Sequence, residues 1–363
     1  MNGAKRKFLI VKMSAMGDIV HTLPALRSLR KKYPGAFIAW VVEERFKDLL
    51  FNNPDLDEVI AVSLKRWRRN MNLASLRELW SFARNLRKHK FDTLLDFQGL
   101  IKSGLIALIA GVPNRIGFHR DDCRERLNGL FTNRKAPSIG RKTHVVDKNL
   151  ALLKLAGVDN FSIEFPLNLP ASAEQSAADY LDANPELTAK PVVGVHFGVG
   201  FKTKTWELER FAQLSDRIAS ELGCNILLTW GPGERGKVDA LSAHIKQRHW
   251  IAPANNLSQA IALFKRLDLL VSCDTGPAHL CAAFQVPTVS IHGPTDPEYS
   301  RPRDAIHAVV YKIQPCSFCH KRSCPTQNEC MTSISVDDVF QAVQKSVAKH
   351  VRIAGTKNPL LER

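Results

Sequence analysis

The segment with the clearest capacity for chemistry is residues 273–279, which read CDTGPAH. It directly follows an apolar run typical of a buried strand, so it lies where a strand ends and a helix begins. Thr275 and Gly276 can offer backbone N–H groups to a phosphate there, and the proline suits an early helical position. Asp274 adds a carboxylate, and His279 lies one turn further on. A purely structural helix start has no need of these residue types together, so the pattern favours an anion-binding site.

Two more predicted strand ends in the same half of the chain supply polar side chains. The run KTKTW at 202–206 follows a Gly-containing loop. Its two lysines place ammonium groups, with Thr203 between them, near a diphosphate that the helix start would hold. The run WGPGE at 230–234 ends another strand, where the Glu234 carboxylate could bind ribose hydroxyls beside Gly231. Together the three loops predict a nucleotide site in the second half.

One strand end near the start of the chain presents a single acidic residue. The run KFLIVK at 7–12 is typical of a short strand, and MSAMGD at 13–18 turns from it into a helix. Asp18 lies in the first helical turn, where a carboxylate can cap N–H groups and meet the helix dipole. It could equally face a ligand as a general base. The loop after this first strand has no G-x-G-x-x-G sequence, which argues against a dinucleotide site at this strand end.

Positive charge is concentrated in two segments of the first half. Residues 65–69 (KRWRR) place four cations around one tryptophan. They form either a solvated loop or a site for a phosphorylated or carboxylated partner, because Arg binds such groups with two parallel hydrogen bonds. A second basic stretch includes Arg124 and His144, and Gln98 is a polar residue at another strand end. The nearby aromatics form no RNP-like pattern, so nucleic acid is a minor alternative.

Four cysteines lie within fifteen residues near the end of the chain. They are Cys316, Cys319, Cys324 and Cys330, with His320 between them. The spacing could hold Zn²⁺ tetrahedrally, although only the first pair has a familiar metal-knuckle spacing. Reduced structural thiols and a redox role are the alternatives. In the cytoplasmic setting expected for this chain, disulfides are not expected.

Strands and helices alternate along the chain, which predicts βαβ units and parallel sheets. We predict an α/β protein of two doubly wound, Rossmann-like lobes, residues 1–170 and 171–335, with a cleft between them. An amphipathic helix at 336–352 follows. Ligands of such sheets bind beyond the carboxyl ends of the strands, where the polar residues lie. The predicted strands are residues 7–12, 36–42, 58–62, 91–96, 191–197, 224–230, 267–272 and 286–292.

Composition narrows the class of partner. The 363 residues include 51 Lys+Arg and 35 Asp+Glu, a net charge of +16, and 45% are hydrophobic, enough for a sizeable core. Residues 1–170 hold 30 basic and 16 acidic side chains (+14), whereas residues 171–363 hold 21 and 19 (+2). The first lobe is therefore expected to meet an anionic partner. Neither a membrane span of about 20 apolar residues nor a signal peptide is expected.

Six motifs, taken in order, resemble the lipopolysaccharide heptosyltransferases, and most of all the heptosyltransferase I branch. The Cys-rich segment is similar instead to other branches of the family. The resemblance extends along nearly the whole chain, from residue 7 to about 300. The motifs are residues 11–25, 40–44, 66–68, 98–103, 274–279 and 293–297.

The resemblance implies a GT-B fold with the acceptor on the first lobe, the nucleotide sugar on the second, and the last helix packed back on the first. It implies an inverting, metal-independent transfer of L-glycero-D-manno-heptose from ADP-heptose to the Kdo of a lipid A precursor, with Asp18 as base. No cofactor is expected, and the enzyme would act peripherally on the inner face of the cytoplasmic membrane. The donor residues implied are Thr203, Lys204, Gly231, Glu234, Asp274, Thr275, Gly276 and His279. The acceptor residues implied are Lys65, Arg66, Arg68, Arg69, Gln98, Arg124 and His144.

Two other functions fit part of the pattern. A related GT-B transferase, such as a heptosyltransferase II or III or an enzyme with another nucleotide-sugar donor, would use the same strand ends. A basic RNA-binding protein would account for the charge but not for the carboxylates at the strand ends.

Overall fold

The computed structural model describes residues 5–64, 66, 72–140 and 142–351. The chain divides into two compact units, Met1–Asn168 and Leu169–Arg363. The sequence analysis places this division after residue 170. Each unit is built around its own parallel sheet of six strands. The predicted α/β class with two doubly wound sheets is therefore confirmed, and each unit is described by itself below.

The sheet of the first unit has the strand order β3-β2-β1-β4-β5-β6. Val11, the last residue of β1, pairs with Val41 on one side and with Asp96 on the other. Strands β2 and β3 extend the sheet on one side of β1, and β4 to β6 extend it on the other side. This change of direction between β1 and β4 leaves a crevice for ligands. Sequence analysis did not predict β5 and β6. The strands are β1 Lys7–Val11, β2 Phe37–Glu43, β3 Glu58–Val62, β4 Thr93–Asp96, β5 Asn114–Gly117 and β6 Arg134–Lys135.

Helices cover this sheet, and the first of them differs from the prediction. The apolar spacing from Ile19 to Leu29 predicts one helix, but the chain forms two, because Pro24 has no N–H for a continuing helix and instead suits a new first turn. Thr22, the N-cap of the second helix, donates its hydroxyl to the Asp18 carbonyl at 2.8 Å. The helices are α1 Met16–Val20, α2 Leu23–Lys32, α3 Leu73–Lys88, α4 Ile101–Ile109 and α5 Val145–Leu153, with 3₁₀ turns at Glu44–Leu50, Arg126–Leu130 and Lys154–Ala156.

The sheet of the second unit repeats this topology in the order β12-β11-β10-β7-β8-β9. Its reversal lies between β7 and β10, where Ser272 pairs with His196. The central strands are buried on both faces, which accounts for their uninterrupted apolar sequences. The strands are β7 Val192–His196, β8 Asn225–Thr229, β9 His249–Ile251, β10 Leu269–Cys273, β11 Thr288–Ile291 and β12 Ala308–Val310.

The sequence predicts helices over residues 207–222, 234–246, 257–265, 276–284 and 336–352, and five helices of the second unit begin and end close to these bounds. The helix Ala171–Asp182 was not predicted, because the prolines of residues 160–190 indicated a linker. The 3₁₀ turn Lys202–Lys204 lies in the loop after β7. The helices are α6 Ala171–Asp182, α7 Pro185–Thr188, α8 Leu208–Leu222, α9 Arg235–His244, α10 Leu257–Phe264, α11 Gly276–Ala283, α12 Pro297–Ser300, α13 Glu329–Thr332 and α14 Val336–His350.

The last described helix, α14, packs on α8 and against β11 and β12 of its own unit. Ser335 caps its start by accepting the Asp338 N–H, and Phe340 and Val343 are buried in the core of the second unit. The predicted contact of this helix with the first lobe stays a prediction. Among the helices in the described ranges, none combines the length and the apolar content that a membrane span requires.

Candidate active site

An ion pair between Lys204 and Asp274 lies at the switch point of the second sheet. Lys204 follows β7 in the 3₁₀ turn, and Asp274 is the first residue after β10. The lysine Nζ lies 2.6 Å from Asp274 Oδ2 and 3.0 Å from the Asp274 carbonyl. Both side chains are largely buried, with 15% and 6% exposed. The structure thus joins two residues that sequence analysis assigned to one nucleotide site.

Two further side chains bind the Asp274 carboxylate. Thr295, in the loop after β11, donates its hydroxyl to Oδ2 at 2.7 Å, and His279 Nε2 lies 3.4 Å from Oδ1. Burial raises the pKa of Asp274, but His292, His279 and Lys204 together outweigh burial and hold that pKa well below its usual range. Burial also lowers the pKa of His292, to about 4.

Helix α11 begins immediately beside this ion pair. Thr275 is its N-cap in an extended conformation, Gly276 is its first residue, and the proline lies within its first two positions. The first N–H groups of a helix have no intrahelical acceptors and can bind an anion. The Thr275 hydroxyl is buried and has no hydrogen-bond partner among the described residues. The Thr275 hydroxyl, the first N–H groups of α11 and the Lys204 ammonium thus form one set of hydrogen-bond donors beyond the end of β10.

Glu234 occupies a second position at the same edge, after β8. Its Oε2 accepts the Gly231 N–H at 2.8 Å. The carboxylate lies directly over Gly198, since a Cβ on that glycine would lie only 2.5 Å from Oε2 and 2.9 Å from His196 Nε2. Burial, opposed by the charge of Glu234, lowers the pKa of His196 to about 4. Sequence analysis missed both Gly198 and His196. Their signal was only their position at the end of β7, because His196 is its last residue and Gly198 follows two positions later.

Thr203 has a different environment from the one predicted for it. The side chain is buried, and its hydroxyl donates to the Lys321 carbonyl at 2.8 Å. Asn328 also donates to the Lys202 carbonyl, at 3.2 Å, so the loop after β7 is joined at two points to the Cys-rich segment. In the structure Thr203 therefore fixes this segment, and the donor contact implied for it stays a prediction.

In the first unit, Asp18 lies in α1 beyond the end of β1. Its Oδ2 accepts the Ala15 N–H at 3.0 Å, which is the capping contact expected of an acidic residue in a first turn. The side chain is half-buried. Within the described residues its other oxygen, Oδ1, has no hydrogen bond and can accept a proton from a ligand. The capping role is therefore observed, and the role of general base stays a prediction.

Gln98 holds the loop in front of Asp18. Its Oε1 accepts the N–H groups of Met13 and Ser14 at 2.8 and 3.1 Å, and its Nε2 donates to the Ser14 carbonyl at 2.8 Å. Three of the four hydrogen bonds that this amide can make are thus used on backbone. Gln98 positions the loop after β1, and the acceptor contact implied for it stays a prediction.

Sequence analysis assigned no role to Lys12, which lies buried below the same loop. Its Nζ donates to the Phe97 carbonyl at 2.8 Å. Burial lowers the pKa of Lys12, and the charges of Asp18 and Asp96 oppose that shift. Asp96 itself accepts four hydrogen bonds, and burial raises its pKa. A lysine directly after an apolar strand was the available signal.

Lys102 connects helix α4 with the Asp18 loop. Its Nζ lies 3.2 Å from both Ser14 Oγ and Glu43 Oε1, and Arg45 also pairs with Glu43 at 2.9 Å. Ser14, Glu43 and Lys102 all lie in motifs that resemble the family. Their pairing depends on strand order, because Glu43 ends β2 and Ser14 follows the neighbouring β1.

The remaining predicted acceptor residues are spread over the first unit. Arg66 pairs with Glu78 at 2.6 Å, and Arg124 is exposed. His144 is the N-cap of α5, where its Nδ1 accepts the Val146 N–H at 3.2 Å. The predictions for Lys65, Arg68 and Arg69 fall outside the described residues.

The four clustered cysteines are free thiols of differing exposure. Cys316 and Cys319 are exposed, Cys324 is half-buried and Cys330 is buried. Hydrogen bonds from Thr326 lower the pKa of Cys324, whereas burial raises that of Cys330. In the part of the chain that the structure describes, no three His, Cys, Asp or Glu side chains are grouped so as to hold a metal ion.

Comparison with known proteins adds independent support to this picture. The family model of glycosyltransferase family 9 (heptosyltransferase) matches residues 79–329. Lipopolysaccharide heptosyltransferase 1 of Pseudomonas aeruginosa strain PAO1 is 31% identical over 328 residues, which is 88% of each chain.

Two solved structures of E. coli heptosyltransferase WaaC are similar to this chain. The one with ADP has a TM-score of 0.74 and 26% identity, and the one with ADP-2-deoxy-2-fluoro heptose has a TM-score of 0.70 and 27% identity. They cover 94% and 93% of this chain, and this chain covers 99% of each. The two parallel sheets match the GT-B fold of these enzymes. The chain belongs to glycosyltransferase family 9, the heptosyltransferases, and is a glycosyltransferase.

Proposed function

We propose that this enzyme transfers L-glycero-D-manno-heptose from ADP-heptose to the Kdo of a lipid A precursor, with inversion at the anomeric carbon. The observation that supports a nucleotide-sugar donor most directly is the ion pair of Lys204 and Asp274 beside the start of α11. The similarity to a heptosyltransferase 1 and to WaaC structures that hold ADP and a fluorinated ADP-heptose supports the identity of that donor.

Departure of ADP is the step that needs positive charge. As the bond between the anomeric carbon and the diphosphate oxygen breaks, negative charge grows on the diphosphate. An ammonium group has three N–H donors, and the contacts of Lys204 with Asp274 use two of them, which leaves one for a phosphate oxygen. The N–H groups at Thr275 and Gly276 would add the field of the helix terminus.

The other donor contacts follow from the carboxylates at this edge. Asp274 orients the Lys204 side chain, and Glu234 and His279 would bind hydroxyl groups of the ribose or the heptose. Glu234 Oε2 already accepts the Gly231 N–H, so Oε1 is the oxygen that we assign to a sugar hydroxyl. Binding of ADP by these groups needs no residue from the first unit.

Asp18 is the proposed base. A single displacement with inversion needs one group to take the proton from the attacking hydroxyl, as in inverting glycosidases. The Kdo oxygen forms its bond to the anomeric carbon as the diphosphate leaves, and the hydroxyl proton passes to Asp18 Oδ1. The Ala15 N–H on Oδ2 fixes the orientation of the carboxylate.

The positive charge of the first unit supports the proposed acceptor and the proposed location of the enzyme. Kdo carboxylates and lipid A phosphates are anionic, and residues 1–170 have a net charge of +14 (30 basic, 16 acidic). Arg66, Arg68, Arg69, Arg124, Lys65 and His144 are the groups we assign to them. We place the enzyme in the cytoplasm, peripheral on the inner face of the membrane, whose surface is also anionic.

The test is incubation of the purified enzyme with ADP-heptose and Kdo₂-lipid A, followed by mass spectrometry. We expect addition of one heptose and release of ADP. A parallel reaction uses an acceptor that already has one heptose. Addition only to that second acceptor would make the protein a later heptosyltransferase, and no addition to either would overturn the proposal.

A further inference from the structure

Two neighbouring helices of the first unit leave large apolar side chains in solvent. On α3, Leu73, Leu76 and Trp80 are 76%, 50% and 65% exposed, and on α4, Leu105 and Leu108 are each 48% exposed. We refer to these five residues as the α3–α4 patch. Single exposed leucines are common, but a continuous apolar patch with a polar rim marks an interaction surface.

The five side chains lie on adjoining stripes. Leu73, Leu76 and Trp80 follow the i, i+3, i+7 spacing of one helical stripe, which Arg87 continues two turns later. Arg87 Nε donates to the Ile109 carbonyl at 2.9 Å, just beyond Leu108 on α4. Arg87 thus joins the stripe of α3 that holds the patch to the end of α4, and from this contact we infer that the two apolar stripes adjoin.

Basic side chains on α3 give the patch a positive rim. This helix contains four basic residues and one acidic residue. The Arg84 guanidinium lies 5.4 Å from the ring centroid of Trp80. Tryptophan beside arginine is favoured at the level of lipid headgroups, where the ring meets the acyl boundary and the cation meets phosphate.

Helix α4 also joins the patch to the proposed acceptor site. Lys102, in its first turn, contacts Ser14 in the loop of Asp18. Leu105 and Leu108 follow on the same helix, about 5 and 9 Å further along its axis at 1.5 Å per residue. A surface that touched the patch would thus lie within a short distance of the loop that holds the proposed base.

We propose that the α3–α4 patch is the surface by which this enzyme docks on an anionic lipid bilayer. The proposal deepens the proposed function, since an acceptor anchored in lipid must be reached at the bilayer surface. The positive rim selects this occupant over a second copy of the chain. In a two-fold dimer through the patch, the basic residues of one α3 would face those of the other.

The test compares vesicle binding of the wild-type enzyme with that of the double variant Trp80→Glu, Leu105→Glu. With vesicles of phosphatidylcholine and phosphatidylglycerol, we expect the variant to bind about tenfold more weakly or worse, because two anchors become anions. The matched control is Ile313→Glu, a side chain of the second unit that is 67% exposed. Equal binding by the double variant and the wild type would overturn the proposal.

Three further measurements separate this proposal from its alternatives. Thermal unfolding must show the double variant folded, as expected for exposed positions; otherwise the single variant Leu76→Glu replaces it. Wild-type binding should weaken on pure phosphatidylcholine vesicles and at high salt, and equal binding to both kinds of vesicle would contradict docking on anionic lipid. Sedimentation should find the same oligomeric state for variant and wild type, and a dimer that the double variant dissociates would assign the patch to a second copy.

Turnover separates the docking proposal from the proposed function. With a deacylated, water-soluble Kdo acceptor, we expect the double variant to retain wild-type rates. With the acceptor embedded in anionic vesicles, we expect it to lose about tenfold in rate. If the wild type transfers heptose to neither acceptor, the proposed function fails, while vesicle binding still decides the docking surface.

Discussion

Lys204 Nζ lies 2.6 Å from Asp274 Oδ2, which joins the loop after β7 to the end of β10 across the reversal in strand order. The two residues are 70 positions apart in sequence, and only the parallel order of the sheet brings them together. The pair is largely buried, so each partner depends on the other for compensation of its charge. A phosphate that binds Lys204 therefore meets an ammonium already fixed in position.

Replacing Lys204 with Gln tests this arrangement. The substitution removes the cation while leaving a side chain that can still hydrogen-bond to Asp274. We expect the kcat/KM for ADP-heptose to fall about 100-fold or more, which corresponds to about 2.7 kcal/mol. Loss of a buried ion-pair partner should also lower the free energy of unfolding by about 3 kcal/mol. Steady-state kinetics and urea unfolding measure the two effects.

The matched control for that substitution is Lys190→Gln, in the loop between α7 and β7. The Lys190 side chain is exposed and precedes β7, whereas the proposed donor site follows that strand. We expect both donor kinetics and stability to stay close to wild type. Unchanged donor KM and kcat in Lys204→Gln would remove this lysine from the donor site.

Asp18→Asn separates the observed cap from the proposed base. An asparagine oxygen can still accept the Ala15 N–H, so α1 should begin at the same residue. It cannot take a proton from the acceptor, so we expect kcat to fall by about 1,000-fold, within the range for loss of a general base. ADP binding, measured by calorimetry, should persist. If kcat stays within about tenfold of wild type, roughly 1.4 kcal/mol, Asp18 is only a cap.

A control for the loss of one carboxylate is Asp337→Asn in the first turn of α14. That side chain is 76% exposed and pairs with Arg217 on the surface. Exposed ion pairs contribute little to stability, so we expect kinetics and melting temperature to remain near wild type.

The sequence was sufficient for the α/β class, for eight of the twelve strands in the described residues and for the polar residues that follow them, because apolar periodicity and short loops determine these features. It predicted Lys204, Asp274 and His279 near one another, and the structure joins them. It could not predict the environment of Gln98, because the amide bonds backbone groups more than 80 residues away. The hydrogen bond of the Thr203 hydroxyl could not be predicted either, since its acceptor, the Lys321 carbonyl, belongs to a distant segment. Such contacts depend on packing, which no local pattern encodes.

Gln98→Ala tests whether the loop in front of Asp18 needs the hydrogen bonds of the Gln98 side chain. The substitution removes three hydrogen bonds to Met13 and Ser14, and we expect a loss of about 1–3 kcal/mol in the free energy of unfolding. We also expect kcat to fall while the KM for ADP-heptose stays constant, because the proposed donor contacts lie in the second unit. Gln175→Ala, an exposed glutamine of α6, is the control. Lower stability with unchanged kcat would limit Gln98 to a structural role.

Two buried histidines predict how stability depends on pH. Burial lowers the pKa of His292 and of His196 to about 4 in the folded protein, below the value near 6.5 of an unfolded chain. As the pH falls from 6.5 to 4, the unfolded chain takes up protons first, so stability is lost across this window. Each histidine should contribute a loss of about 2 kcal/mol between pH 7 and pH 5.

The variant that checks this dependence is His292→Gln. We expect it to be less stable than wild type at pH 7, yet to lose less on acidification because one titrating group is gone. Urea unfolding at several pH values measures the slope. His244→Gln, at the exposed end of α9, should keep the wild-type slope. A variant slope equal to that of wild type would contradict the assignment to His292.

Alkylation distinguishes the alternatives for the Cys-rich segment. Burial raises the pKa of Cys273 to about 12, whereas hydrogen bonds from Thr326 lower that of Cys324. The thiolate is the reactive form, and Cys316 and Cys319 are exposed. We therefore expect iodoacetamide at neutral pH to label these last three thiols in the folded protein and Cys273 only after unfolding, as peptide mass spectrometry can show. If these thiols are labelled only after chelation, and elemental analysis finds stoichiometric zinc, the segment is a metal site and not a set of free thiols. If labelling depends on a reductant, a redox role is favoured.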